Sequence, residues 1–319
     1  MSLELLVESY DVLGLEVLLR HNFNFSLQSF LESKFGARNV QKTTSAREYQ
    51  VEIEVIDDKE REEPLFKVSN SKLICTGAFK SYMQRYGSAH SVFRYVIYNF
   101  LLSELEKRNL FGLHASAIYN EESEKVLLIL GPRGAGKTSF AIAGINMGWK
   151  LIGDDLVPVC PSSEGLKIFT GPTEATIKHM SAVFFKEFLI KNNLISEDKI
   201  LNGGWHEIDV ELNQFLINGN SLKNKDYYIV FPRIEISDRA HLRKIKADRK
   251  VITKVYEDIT SKVRCISMMN YVFPVPSFDT SDLMRKRIDF VRKLFAGSKE
   301  NYFVFGNPIN TFKKLTEVI

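Results

Sequence analysis

Apolar and polar residues alternate over residues 48–56, with Val51, Ile53 and Val55 set against Gln50, Glu52 and Glu54, which predicts a strand. The acidic stretch 57–63, ending at Pro64, predicts a turn, and segments 65–68 and 72–75 continue as a meander. From about residue 88 to 108 the period changes. Val92, Tyr95, Val96, Phe100, Leu101 and Leu105 recur at helical spacing. The N-terminal region therefore reads as short strands and turns with one or two helices. It forms a smaller β-rich region over residues 1–108, closed by that helix.

A different pattern follows. Two apolar runs, 113–119 and 126–130, flank a polar turn at 120–123 and predict a strand pair. The second run leads into Gly131-Pro132-Arg133-Gly134-Ala135-Gly136-Lys137-Thr138, after which residues 138–143 open a helix that stops at Gly148. A short strand over 149–152 then delivers Gly153-Asp154-Asp155 to its end. Further on, residues 176–193 predict a helix, 201–206 a flexible loop, and 227–236 a strand broken at Pro232. Residues 279–296 predict an amphipathic helix closing at Gly297.

The eight residues 131–138 fit G-x-x-x-x-G-K-[ST] in the strand–loop–helix setting which that pattern requires. Glycines let backbone N–H groups turn toward an anion, and a helix start adds partial positive charge. The residues that would wrap a nucleotide are Gly131, Pro132, Arg133, Gly134, Ala135, Gly136, Lys137, Thr138 and Ser139. Lys137 would reach the β- and γ-phosphates of ATP and the Thr138 hydroxyl would sit on Mg²⁺. Two adjacent carboxylates repel unless a cation lies between them or one is protonated, so Asp154 and Asp155 suggest a metal. One of them, with Asp154 and Thr138 as the metal candidates, would hold it. The other would accept or orient a hydroxyl proton.

The order His114-Ala115-Ser116-Ala117, then the loop, then Gly148 and Leu151-Ile152-Gly153-Asp154-Asp155 with Val157, resembles the catalytic core of the bacterial HPr kinase/phosphorylase family. It is more similar still to the HPr-kinase-related proteins found with peptide-modifying gene clusters. The resemblance covers residues 110–158, with a weaker echo at 172–179. It implies an α/β fold with a phosphoenolpyruvate-carboxykinase-like P-loop core on a mixed sheet, occupying residues 109–319. It also implies ATP-dependent transfer of the γ-phosphoryl group to a serine hydroxyl, a homo-oligomer, and a catalytic His114 that contacts phosphate or steadies an aspartate beside Lys137, Asp154 and Asp155. The family's glycine-rich E-I-R-G-L-G signature is missing. Met180-Ser181-Ala182-Val183-Phe184-Phe185 stands there instead, which argues against HPr as substrate and against a phosphorolytic reverse reaction. A kinase for a free amino acid or sugar, and a nucleotide-responsive regulatory module without an acceptor, are the alternative readings. Glu174, His179, His206 and Arg233 are weaker site candidates.

Composition narrows the partners. The 319 residues are 45% hydrophobic and 26% charged, an ordinary globular balance that suits one large domain with an appendage, or two domains. Net charge is +4, and the late basic runs (Arg239, Arg243, Lys244, Lys246, Arg249, Lys250; then Arg285, Lys286, Arg287, Arg292, Lys293) read as solvated faces, so nucleic acid is not expected. Cys75, Cys160 and Cys265 lie too far apart for a disulfide framework or zinc site. The acidic start (Glu4, Glu8, Asp11) is unlike a secretory signal, and the longest apolar stretch, 92–105, is interrupted by polar residues. A cytoplasmic protein without a membrane partner is expected.

Overall fold

The computed structural model describes residues 5–22, 27–44, 48–61, 64–78, 89–202, 207–235, 237–263 and 276–319. The chain forms two compact units, one from residues 1–111 and 256–289, the other from 112–255 and 290–319. Both are mixed α/β.

The first unit is built on strands β1 (Leu6–Val12), β2 (Leu15–His21), β3 (Val40–Lys42), β4 (Val51–Asp57), β5 (Leu65–Ser69) and β6 (Lys72–Gly77), in the order β3-β1-β2-β4-β6-β5. Alternation decides the faces: Val51, Ile53 and Val55 are buried while Glu52 and Glu54 are partly exposed. Helices α1 (Leu27–Phe35) and α2 (Ala89–Lys107) belong to the same unit. Its C-terminal segment corrects one expectation from the sequence. Arg287, read there as part of a solvated basic face, is fully buried. Its guanidinium donates to Glu106 Oε2 at 2.8 Å, to Thr260 Oγ1 at 3.1 Å and to Asp279. The other four basic residues of that run are exposed or half-exposed.

The second unit carries β7 (Phe111–Leu113), β8 (Ala115–Asn120), β9 (Lys125–Leu130), helix α3 (Lys137–Asn146), β10 (Lys150–Gly153), β11 (Val157–Ser162), β12 (Gly165–Phe169) and β13 (Glu174–Lys178). Short helices α4 (His179–Phe184), α5 (Lys186–Lys191) and α6 (Glu197–Asn202) follow, then β14 (Glu207–Glu211), β15 (Ser221–Lys223), β16 (Asp226–Ile234) and β17 (Ala240–Ile245). Helices α7 (Arg249–Val263) and α8 (Ser281–Gly297), strand β18 (Asn301–Gly306) and helix α9 (Pro308–Thr316) complete the chain.

The main sheet runs β10-β8-β9-β16-β18-β17. β9 is antiparallel to β8 but parallel to β16, so the sheet is mixed. Two departures from the sequence expectations have local causes. Residues 174–178 form a strand, not the start of a helix, because Ala175 and Ile177 are buried while Glu174, Thr176 and Lys178 are exposed. The helix there begins only at His179. β16 runs unbroken through Pro232. Its pairing with β9 ends at Val230, so the missing proline N–H interrupts no ladder on that side.

Helix α3 stops where Met147 gives way to Gly148 at φ 89°, the left-handed residue that ends a helix without a Cβ penalty. It is held on the sheet by Phe312 of α9, whose ring lies 5.2 Å from Phe140 and 5.4 Å, edge-on, from Trp149. α9 itself starts at an Asn307 cap, whose side chain accepts the Asn310 N–H at 3.0 Å, followed by Pro308. Cys75 is buried and Cys160 half-buried, neither bonded to another cysteine. Cys265 lies outside the described residues, as do His206 and most of the predicted 201–206 loop. No described helix is long and apolar enough to cross a membrane.

Candidate functional site

The neighbouring strands β8, β9 and β10 of the second unit lead to one site: His114 precedes β8, the 131–138 loop follows β9, and Asp154 and Asp155 follow β10. The loop turns on left-handed backbone at Gly134 (φ 83°) and Gly136 (φ 93°). Gly136 also has no room for a side chain, because a Cβ there would stand 2.6 Å from Ile234 Cβ and Cγ1. It caps α3 without any side-chain hydrogen bond, and the first turn of α3 carries no acid. The helix therefore presents first-turn N–H groups and its positive dipole end at the loop.

Lys137 is 8% exposed. Its ammonium donates to Gly131 O at 2.9 Å and lies 3.3 Å from His114 Nε2. The same His114 nitrogen is 3.3 Å from Asp155 Oδ1. A neutral imidazole nitrogen serves one neighbour at a time: with its lone pair it accepts from Lys137, and with a proton it donates to Asp155. His114 thus joins the loop lysine to the second aspartate.

The two aspartates stand in opposite environments. Asp154 is 4% exposed and accepts hydrogen bonds from Thr138 Oγ1 at 2.9 Å and from the wholly buried Ser116 hydroxyl. Burial pushes its carboxyl above the ordinary carboxylate range, while the Ser116 and Thr138 hydroxyls and Lys137 pull it back. Asp155, its side chain 54% exposed, sits at φ 61°. The Leu156 N–H donates to Asp154 O at 2.7 Å, closing a tight three-residue turn with Asp155 at its centre. Such a turn with positive φ is uncommon and strained for a non-glycine residue.

What holds the turn is a close crossing of backbone. Gly171 N–H donates to Ile152 O at 2.8 Å, and Asp154 N–H to Pro172 O at 2.8 Å. A Cβ on Gly153 would lie 2.6 Å from Gly171 Cα, and one on Gly171 would collide with Leu156 O. Only glycine permits that crossing.

Other predicted residues fall at the margin. Arg133 points out, its side chain 86% exposed, and pairs with Glu207 at 3.2 Å. Ser139 is buried and shares a hydrogen bond with Ser181 at 3.0 Å. His179 hydrogen-bonds to Ile200 O at 2.7 Å and serves the fold. Glu174 is exposed on β13, and Arg233 lies over the Phe305 ring.

The sequence reading gives Ser116 no role of its own and does not single out Gly171. For Ser116 a signal existed: a small polar residue in an otherwise apolar strand beside the loop. Among the described residues no three His, Cys, Asp or Glu side chains gather as a metal cluster. The oxygen donors at the loop are the Thr138 hydroxyl and the Asp154 carboxylate. These hard ligands, one hydroxyl and one acid, suit Mg²⁺ shared with phosphate oxygens. No protein-family model matches the chain, and a search of curated proteins finds no match.

Proposed function

We propose that the second unit is a P-loop kinase core in which residues 131–139 bind ATP with Mg²⁺ and the γ-phosphoryl group passes to a hydroxyl. A serine of a peptide or small protein is the acceptor class, and the cytoplasm the setting, that fit the sequence resemblance. The observation that carries the reading is the convergence of Lys137, Thr138, Asp154, Asp155 and His114 at the ends of three adjacent strands. A Gly-rich turn of no function has no reason to gather a buried lysine, a buried acid and a strained exposed acid.

The roles follow from the environments. Thr138 Oγ1 and Asp154 would hold Mg²⁺, which when bound neutralises charge on the phosphates. Ser116, which donates to Asp154 Oδ1, holds that carboxylate in place. The 131–138 backbone and the α3 N-terminus orient the triphosphate, and Lys137 leaves Gly131 O for its oxygens. Asp155 is the exposed acid and accepts the acceptor's hydroxyl proton. His114 Nε2 keeps that carboxylate oriented. One P–O bond forms to the acceptor oxygen as the bond to the ADP oxygen breaks, and the proton ends on Asp155.

Incubation with γ-labelled ATP and a panel of serine peptides, amino acids and sugars tests this. Label should enter one acceptor class, and Lys137→Ala and Asp155→Asn should each remove it. Transfer unchanged in both variants rejects the site. Hydrolysis without any acceptor would favour the regulatory-module reading instead.

A further inference from the structure

We infer that Lys178, at the end of β13, is a second phosphate-binding cation that recognises the terminal phosphate of the nucleotide. The inference rests on the proposed nucleotide site and adds a residue to it. Lys178 Nζ lies 3.9 Å from the position a Cβ would occupy on Gly134, at the middle of the 131–138 loop. In a loop of this pattern the backbone N–H groups cradle the α- and β-phosphates, so the outer phosphate would lie on the side of the loop away from the helix start. Lys178 therefore stands at the γ-phosphate end.

Its neighbours make this placement informative. In the β13–β14 register Lys178 pairs with Glu207, a carboxylate directly across the ribbon. A surface lysine ordinarily takes such a cross-strand partner. Here Glu207 is bound instead by Arg133, at 3.2 and 3.4 Å to its two oxygens. One step along, Thr176 donates to Asp209 at 2.8 Å. Lys178 makes no ion pair with any described residue, and its ammonium is directed at the loop. Its backbone is anchored by strand pairing, so the side chain needs no ordering beyond its own rotamers.

Charge counting gives the reason for a second cation. Mg²⁺ leaves a bound triphosphate with about two negative charges, and Asp154 and Asp155 add more. Lys137 alone does not offset these, and transferring a phosphoryl group demands that developing charge be met by fixed cations. An exposed lysine at the loop's outer edge also separates ATP from ADP, since only ATP reaches it.

The test is calorimetric titration of wild-type protein, Lys178→Met, Lys178→Arg and Lys137→Ala with ATP and with ADP, each with Mg²⁺. Lys178→Met should weaken ATP roughly 10- to 100-fold, as for a lost charged hydrogen bond, and leave ADP within about twofold. Lys178→Arg should recover most of the difference. Lys137→Ala should weaken both nucleotides. Equal loss of ATP and ADP in Lys178→Met, or no loss, overturns the role of Lys178 while the site itself stands. If wild-type protein takes up neither nucleotide, the site and the inference fall together.

Discussion

Replacing Gly136 by alanine separates backbone strain from contact at the loop. At φ 93° an L-residue is outside its comfortable regions, which costs about 1–2 kcal/mol. The added Cβ would also sit 2.6 Å from Ile234 Cβ and Cγ1. Rotation about χ1 can move Cγ1 but not Cβ. The Ile234 backbone is tied to the loop by its N–H to Ala135 O at 3.1 Å. Overpacking of this kind costs about 1–3 kcal/mol. The expected loss is therefore about 2–5 kcal/mol, with weaker MgATP binding in whatever protein remains folded. Gly148 supplies the control. It has a similar φ of 89° but nothing within 4 Å of a built Cβ, so alanine there should cost only about 1–2 kcal/mol. Trp149 packs on Phe312 in the second unit, beside the loop helix, so urea unfolding followed by tryptophan fluorescence reports the relevant unit. Equal costs at the two glycines, or a Gly136→Ala cost under about 0.5 kcal/mol, would refute the packing argument.

Other expectations are as direct. Asp155→Gly should leave the ligand-free protein unchanged or up to about 1 kcal/mol more stable, because strain at φ 61° is relieved, while abolishing phosphoryl transfer. A loss of several kcal/mol in urea melts would mean the turn is not strained. Asp154→Asn should raise the melting temperature of the ligand-free protein by removing a buried carboxylate, and should abolish stabilisation by MgATP; a lower melting temperature counts against this picture. In the first unit, burial pushes the Glu106 carboxyl up from 4.5 to about 7, against the pull of Arg287. The folded state then binds this proton more tightly than the unfolded one. Its contribution is complete below about pH 4.5 and fades as pH rises to about 7. Hydrogen exchange of α2 amides in Glu106→Gln should show a flatter dependence over that window, and an unchanged slope would remove Glu106 from the account.

The candidate site was legible where its signals were local. A glycine-rich octapeptide between an apolar run and a helix, and paired acids after a short strand, are contiguous patterns whose geometry follows from backbone chemistry. What stayed hidden depends on residues far apart in the chain. Ser116 reaches Asp154 across 38 positions, and Gly171 crosses Gly153 only because two loops meet there. The strand at 174–178 was masked by the apolar residues of the helix after it, Met180, Val183 and Phe184, which extend a helical period backward over Ile177. Pro232 read as a break because the end of β9 at its side is invisible in sequence. Arg287 looked solvated because its partners Glu106 and Thr260 lie 181 and 27 positions away. The contrast between a buried Asp154 and an exposed Asp155 depends on the folded surroundings, which adjacent identical residues do not reveal.

A crystal structure grown with Mg²⁺ and a non-hydrolysable ATP analogue tests the central claim most directly. The account predicts a triphosphate wrapped by residues 131–138, a metal on Thr138 Oγ1 beside Asp154, and the terminal phosphorus facing Asp155. Nucleotide density elsewhere in the chain, or none at saturating analogue, would contradict it.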